Sequence, residues 1–204
     1  TQWQVVGATE SISEAHLLPV LEAMLHQFPF RIRGFHADNG SEFINRNVAG
    51  MLNRMLVSDF TKSRANRTTD NALVEGKNGA VIRKQIGYGW IAREHAEEFE
   101  SFYRRWLNPY LNYHRPCGFA RIQAGKRGKR KRVYRQEDYQ TPYEKLRSLA
   151  GWEKHLKAGL SAETLEQRAR AHSDTEFARR MQHEKQQLLA RARSAGALPR
   201  KRSA

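Results

Sequence analysis

A strand that runs out on an acid constrains this chain more than any other feature. Ile32, Phe35 and Ala37 mark an extended apolar run over Arg31 to Ala37, and Asp38 follows at its carboxyl end. Asn39-Gly40 is a strong turn signal, and Ser41 can cap a helix that begins at Glu42. A second acid has a related placement. Asp70 suits a helix N-cap, and Glu75 lies about one turn inside the helix that follows. In open α/β sheets, ligands collect at the carboxyl ends of strands. A carboxylate at a strand end and another on a nearby helix can converge on a divalent cation. Magnesium favours such hard oxygen ligands and keeps water or phosphate in its other positions. Either acid alone is most simply a solvated surface group. The pair with its neighbours is the informative unit.

The rest of the chain alternates in the same way. Gln2 to Thr9 reads as a buried strand centred on Trp3, Val5 and Val6. Ser13 to Gln27 reads as a helix, with Leu17, Leu18, Leu21, Met24, Leu25 and Phe28 at helical spacing and Pro19 as a weak point. Ser41 to Met55 is a helix with Phe43, Val48, Met51 and Leu52 inward, and Leu56 to Phe60 is a short strand. Thr61 to Thr69 is a polar, basic loop leading into the helix Asn71 to Ile86. Asn78, Gly79 and Ile82 share the face of Glu75. Gly76 and Gly79 each cost about 1 kcal/mol relative to Ala in a helix. They fit either close approach of a DNA backbone or tight helix packing. Arg93 to Tyr113 is a long amphipathic helix whose aromatic stripe of Phe99, Phe102, Tyr103 and Trp106 belongs to a core; Pro109 is expected to kink or split it. Alternating strands and helices of this kind fit an α/β layered domain.

Charge separates the two ends. The formal net charge is +15 and the pI about 10.4, which points to a polyanionic partner, most simply nucleic acid. Residues 1–120 carry 14 basic and 12 acidic side chains, whereas 121–204 carry 22 and 9. Arg121 to Arg135 holds eight basic residues and no acid. Within it, Lys126, Arg127, Lys129, Arg130, Lys131 and Arg132 form a dense phosphate-binding candidate. The competing reading is a solvated tail. Further on, Thr141-Pro142 starts one helix, Ser161 to Ala171 and Asp174 to Ala195 read as two more, and Ser173 with Glu176 has capping-box spacing. Cys117 is the only cysteine, so an intrachain disulfide and a cysteine-rich zinc site are excluded, and a reducing setting is expected. No apolar run approaches a membrane span, and no signal peptide is evident.

Asp38-Asn39-Gly40-Ser41-Glu42-Phe43, then Asp70-Asn71-Ala72 with Glu75 and Asn78, resembles the second and third acidic positions of the DDE integrases and transposases. The offset of 37 residues between Asp38 and Glu75 fits that superfamily. Leu107 to Pro116 looks like the signature that follows the catalytic core in bacterial insertion-sequence members. The resemblance covers roughly Trp3 to Leu149. It implies an RNase H-like fold with a mixed sheet flanked by helices, followed by a basic, mostly helical C-terminal extension. The expected divisions are a catalytic core over 1–115, a basic linker over 116–140 and a helical basic region over 141–204.

The implied function is DNA integration or transposition by metal-dependent strand transfer. Asp38 and Glu75 would be the catalytic metal ligands, holding Mg2+ or Mn2+. DNA contact is implied for Lys62, Arg64, Arg67, Lys77, Asn78, Arg83 and Lys84, beside the basic run already named. The partners would be transposon ends and target duplex, the assembly a homo-oligomer, and the setting the bacterial cytoplasm at the nucleoid. The resemblance also places a first catalytic Asp at the head of the first strand. Here the chain begins at Thr1 with no acid before Glu10, so that Asp is expected to be missing, as in a fragment or a truncated remnant, and this chain alone is expected to be inactive. The alternative is a DNA-binding remnant without chemistry. An RNase H-like nuclease is disfavoured by the basic tail and by the Leu107–Pro116 run.

Overall fold

Two helices and a parallel strand pair make the first packing layer. In a computed structural model of the protein, which describes residues 1–37, 46–62, 78–124 and 129–195, helix α1 spans Glu14–His26, strand β1 Gly34–Ala37, helix α2 Arg46–Arg54 and strand β2 Asp59–Lys62. The strands run parallel, with Gly34 opposite Asp59 and Ala37 opposite Lys62. Parallel neighbours need a crossover, and α2 lies in the stretch that provides it. Leu21 and Leu25, one turn apart on α1, meet Val48, Met51 and Leu52 of α2. These side chains and Val57 form one core cluster, with Phe35 and Phe60 against it.

The second layer is built on a long helix. The helical segment α3 covers 78–86, wound wide over Asn78–Arg83 and then regular over Lys84–Ile86. Helix α4 covers 93–114 as a tight turn Arg93–His95, an α-helix Ala96–Phe102, and two wide π-type stretches, Tyr103–Leu107 and Tyr110–His114. Pro109 sits between the wide stretches. It has no N–H, and its ring crowds the carbonyl four residues back. The helix relieves this by widening: the Asn108 N–H bonds the Tyr103 carbonyl, five residues back. The helical run is continuous through Pro109, so the helix is not split there. The aromatic stripe is core, with Phe99, Phe102 and Tyr103 buried beside Val6, Val81, Leu107 and Leu111.

Residues 2–9 depart from the expected strand. Among the described residues they pair with no strand; α4 takes the place of one. The Asn112 side-chain oxygen accepts the Gln4 N–H at 3.0 Å, and its amide nitrogen donates to the Gln4 carbonyl at 2.6 Å. Asn108 does the same for Val6, at 2.9 and 3.0 Å, and Glu100 accepts the Ala8 N–H at 2.8 Å. A carboxamide carries the same donor and acceptor as a peptide group. Two residues of extended chain advance about 6.6 Å and four of a helix about 6 Å, so an i, i+4 Asn pair keeps step with residues 4 and 6. On the other side, Gly7 lies against α1: a Cβ there would come within 2.6 Å of the Met24 sulfur. Trp3 packs edge-on against Phe30 and Tyr113.

The C-terminal part is woven into both layers. Strand β3 (Cys117–Gly118) pairs antiparallel with β6 (Tyr139–Gln140), and β4 (Arg121–Ala124) pairs with β5 (Arg130–Val133). Helices α5 (Pro142–Arg147), α6 (Ala162–Arg170) and α7 (Asp174–Ala195) follow. Thr141 and Ser161 cap the first two through their side chains. Phe177, Met181 and Leu188 of α7 are members of the cluster around α4, so the last helix is part of the core. Lys157 reaches back to α1, where its ammonium bonds the Leu25 carbonyl at 2.7 Å at the helix C-terminus. Burial lowers the Lys157 pKa, and the carbonyls together with the helix dipole offset that cost. Lys157→Met should therefore lower stability by about 1–2 kcal/mol, read as a shift in the urea midpoint with an unchanged slope.

Among the described residues the sheets are these three two-stranded pairs, and the fold is mixed α/β and predominantly helical. No described helix is long and apolar enough to cross a membrane.

Candidate nucleic-acid interface

Two candidate surfaces follow from this arrangement. The first lies at the carboxyl end of the parallel pair. Because β1 and β2 run the same way, Ala37 and Lys62 stand side by side at the same end. Neighbouring strands are about 4.8 Å apart, so the segments leaving these two residues start within one strand spacing of each other. One begins at Asp38 and the other leads through 63–77 to α3. His36 and Thr61, one position before the ends, are hydrogen-bonded across the pair at 2.8 Å.

Asp38, Glu75, Arg64, Arg67 and Lys77 lie outside the described residues. Lys62 closes β2, and Asn78 opens α3. Val81 fixes α3 to the core, while Arg83 and Lys84 are exposed. The Arg83 guanidinium lies 5.4 Å from the centre of the Tyr88 ring. Among the described residues nothing lies within 4 Å of the position that a Cβ at Gly79 would take, so their packing does not demand the glycine there. Among the described residues no three or more His, Cys, Asp or Glu side chains are placed to hold a metal.

The second surface is the β4–β5 ribbon, within the stretch expected to be a basic linker. Lys126 and Arg127 of the expected phosphate-binding run lie outside the described residues, whereas Lys129, Arg130, Lys131 and Arg132 are exposed. Register assigns their faces. Arg132 is opposite Ile122 and Arg130 opposite Ala124, so these four share one face. Lys131 opposite Gln123 and Val133 opposite Arg121 share the other. Arg121 ties that second face down. Its Nε donates to Asp138 at 2.6 Å, and its NH2 group donates to Glu137 at 2.8 Å.

Asp138 is buried and also accepts the Arg135 N–H at 2.8 Å. That N–H first, and the Arg121 guanidinium second, hold the Asp138 carboxyl below its usual range. The anchor's contribution is therefore complete above the ordinary Asp value and fades as pH falls through the lower folded one. In the sequence Arg121 is only the first basic residue of the Arg121–Arg135 stretch, and its anchoring role is not apparent there. Asp138, the acid three residues beyond the basic run, was the available signal. A two-stranded ribbon of this kind is narrow enough to enter a DNA major groove.

No known protein family matches the chain. A curated relative, the uncharacterized protein y4rM of Sinorhizobium fredii (strain NBRC 101917 / NGR234), is 45% identical over 89 residues. That stretch is 44% of this chain, and the chain spans about a quarter of the relative's length. No solved structure matches.

Proposed function

We propose that this chain belongs to the catalytic region of a DDE-type transposase or integrase and works in metal-dependent DNA strand transfer. The single observation that carries the proposal is the pairing of Ala37 with Lys62. It starts the Asp38 segment and the segment leading to Glu75 at neighbouring strand ends. The motifs at both positions resemble those of that superfamily, and an RNase H-like sheet would use this end of the strands in the same way. Asp38 and Glu75 would hold Mg2+ or Mn2+, whose chemistry is to activate the attacking hydroxyl and stabilise the leaving oxygen. Arg83 and Lys84 would hold phosphates near the carboxylates, and the ribbon would hold the duplex further out. Such a protein would act as a homo-oligomer on element ends and target duplex in the bacterial cytoplasm.

The test is nicking and joining of labelled duplex in magnesium or manganese, with this chain and with the chain continued upstream through an Asp-bearing strand. Joining by the extended chain, lost in Asp38→Asn, is the expected result. Joining by the unextended chain would place the third ligand elsewhere. No metal-dependent product from either overturns the proposal.

A further inference from the structure

Between α3 and α4 the chain carries two large aromatic side chains that the fold does not bury. Tyr88 and Trp90 are each 84% exposed. Gly87, with φ +95°, and Gly89 flank Tyr88 with open space around both. Two such rings close together in sequence leave apolar surface that a partner can cover. Trp90 also walls a cleft of about 520 Å3, within the range of small-ligand sites. Ile91, Phe99 and Tyr103 line the cleft beside it, together with the charged side chains Glu10, Arg93 and Glu94. The Arg83 guanidinium lies 5.4 Å from the centre of the Tyr88 ring, and Lys84 is exposed on the same helical segment as Arg83.

We propose that Tyr88 and Trp90 form a stacking platform for an unpaired base of a nucleic-acid strand, with Arg83 and Lys84 on the adjoining phosphates. The proposal rests on the reading of this chain as a DNA-binding protein. The chemistry matches on three counts. An aromatic face stacks on any base. A carboxylate at the cleft accepts from an exocyclic amine. Basic side chains beside the ring neutralise the backbone, which a purely apolar partner would not require. A paired base has no free face, so the platform should distinguish single-stranded from duplex DNA.

The experiment compares a blunt duplex with the same duplex bearing a single-stranded overhang that contains the fluorescent base aminopurine. Affinity is read by anisotropy and stacking by quenching of the aminopurine. The wild type should bind the overhang substrate about tenfold more tightly and quench its fluorescence. Tyr88→Ala with Trp90→Ala should lose both the preference and the quenching while keeping duplex affinity. Trp90→Phe should retain most of each. Both side chains are exposed, so an unchanged melting temperature checks that the fold is intact. Duplex binding without an overhang preference, or a preference that survives the double replacement, overturns the platform and leaves the DNA-binding reading standing. Loss of all nucleic-acid binding in the wild type removes both. Self-association abolished by Trp90→Ala, with no base quenching, would assign the surface to a second copy of the chain and also overturn the platform.

Discussion

Asn108→Leu is expected to lower the stability of the chain by about 2–5 kcal/mol. Asn108 is 3% exposed, and its carboxamide is the partner of both the N–H and the carbonyl of Val6. Leucine has a similar volume, so the packing loss is small. What changes is that two backbone groups buried beside α4 lose their partners, at about 1–3 kcal/mol each. Gln27 loses a bond as well, because Asn108 also donates to its side-chain oxygen at 2.8 Å. Against a total stability of about 5–15 kcal/mol, such a loss is large. Asn112→Leu should cost less, since Gln4 is only half-buried. Urea unfolding followed by circular dichroism measures both. A loss below about 1 kcal/mol for Asn108→Leu would show that water or a shifted backbone replaces the clamp.

Neutralising the ribbon should have the largest effect on DNA binding. Arg130, Lys131 and Arg132 are exposed, so replacing all three by glutamine leaves the packed layers untouched. Each phosphate contact releases about one counterion, so log affinity against log salt should become shallower by roughly three units. Removing residues 121–204 would be a poor substitute for these point changes, because Phe177, Met181 and Leu188 belong to the main core. A titration across salt decides it. An unchanged slope would place the DNA elsewhere on the chain.

Much of this architecture is legible in the sequence because it is local. Thr141, Ser161 and Ser173 each stand immediately before a helix and accept a backbone N–H of its first turn, as their capping chemistry dictates, and Ser13 holds the same position without a side-chain cap bond. The expected strand over Arg31 to Ala37 contains β1, and Leu56 to Phe60 overlaps β2. Three features depended on distant partners and were not legible. An apolar run like Gln2 to Thr9 has the same pattern whether its backbone bonds a strand or two asparagines 102 and 108 residues away. The basic run does not itself say which of its members is tied down; Asp138 just beyond it is a signal, but only the fold shows that Arg121 is the partner. The helix α7 looks like an appendage until the cluster shared by Phe177 and Phe99 is seen. Asp38 and Glu75 are legible as motifs. Between them the parallel pair fixes only where their segments start, at Ala37 and Lys62.

That convergence is the central claim, and iron-directed cleavage tests it most directly. Fe2+ bound in place of Mg2+, with ascorbate and peroxide, cuts the polypeptide beside its ligands whether or not the chain is catalytically active. Cuts close to Asp38 and close to Glu75 are predicted from the same bound ion, with both suppressed by excess Mg2+. Asp38→Asn alone and Glu75→Gln alone should each abolish both cuts. Cuts at only one of the two positions, or cuts that persist in both variants, would contradict a shared metal site at the carboxyl end of β1 and β2.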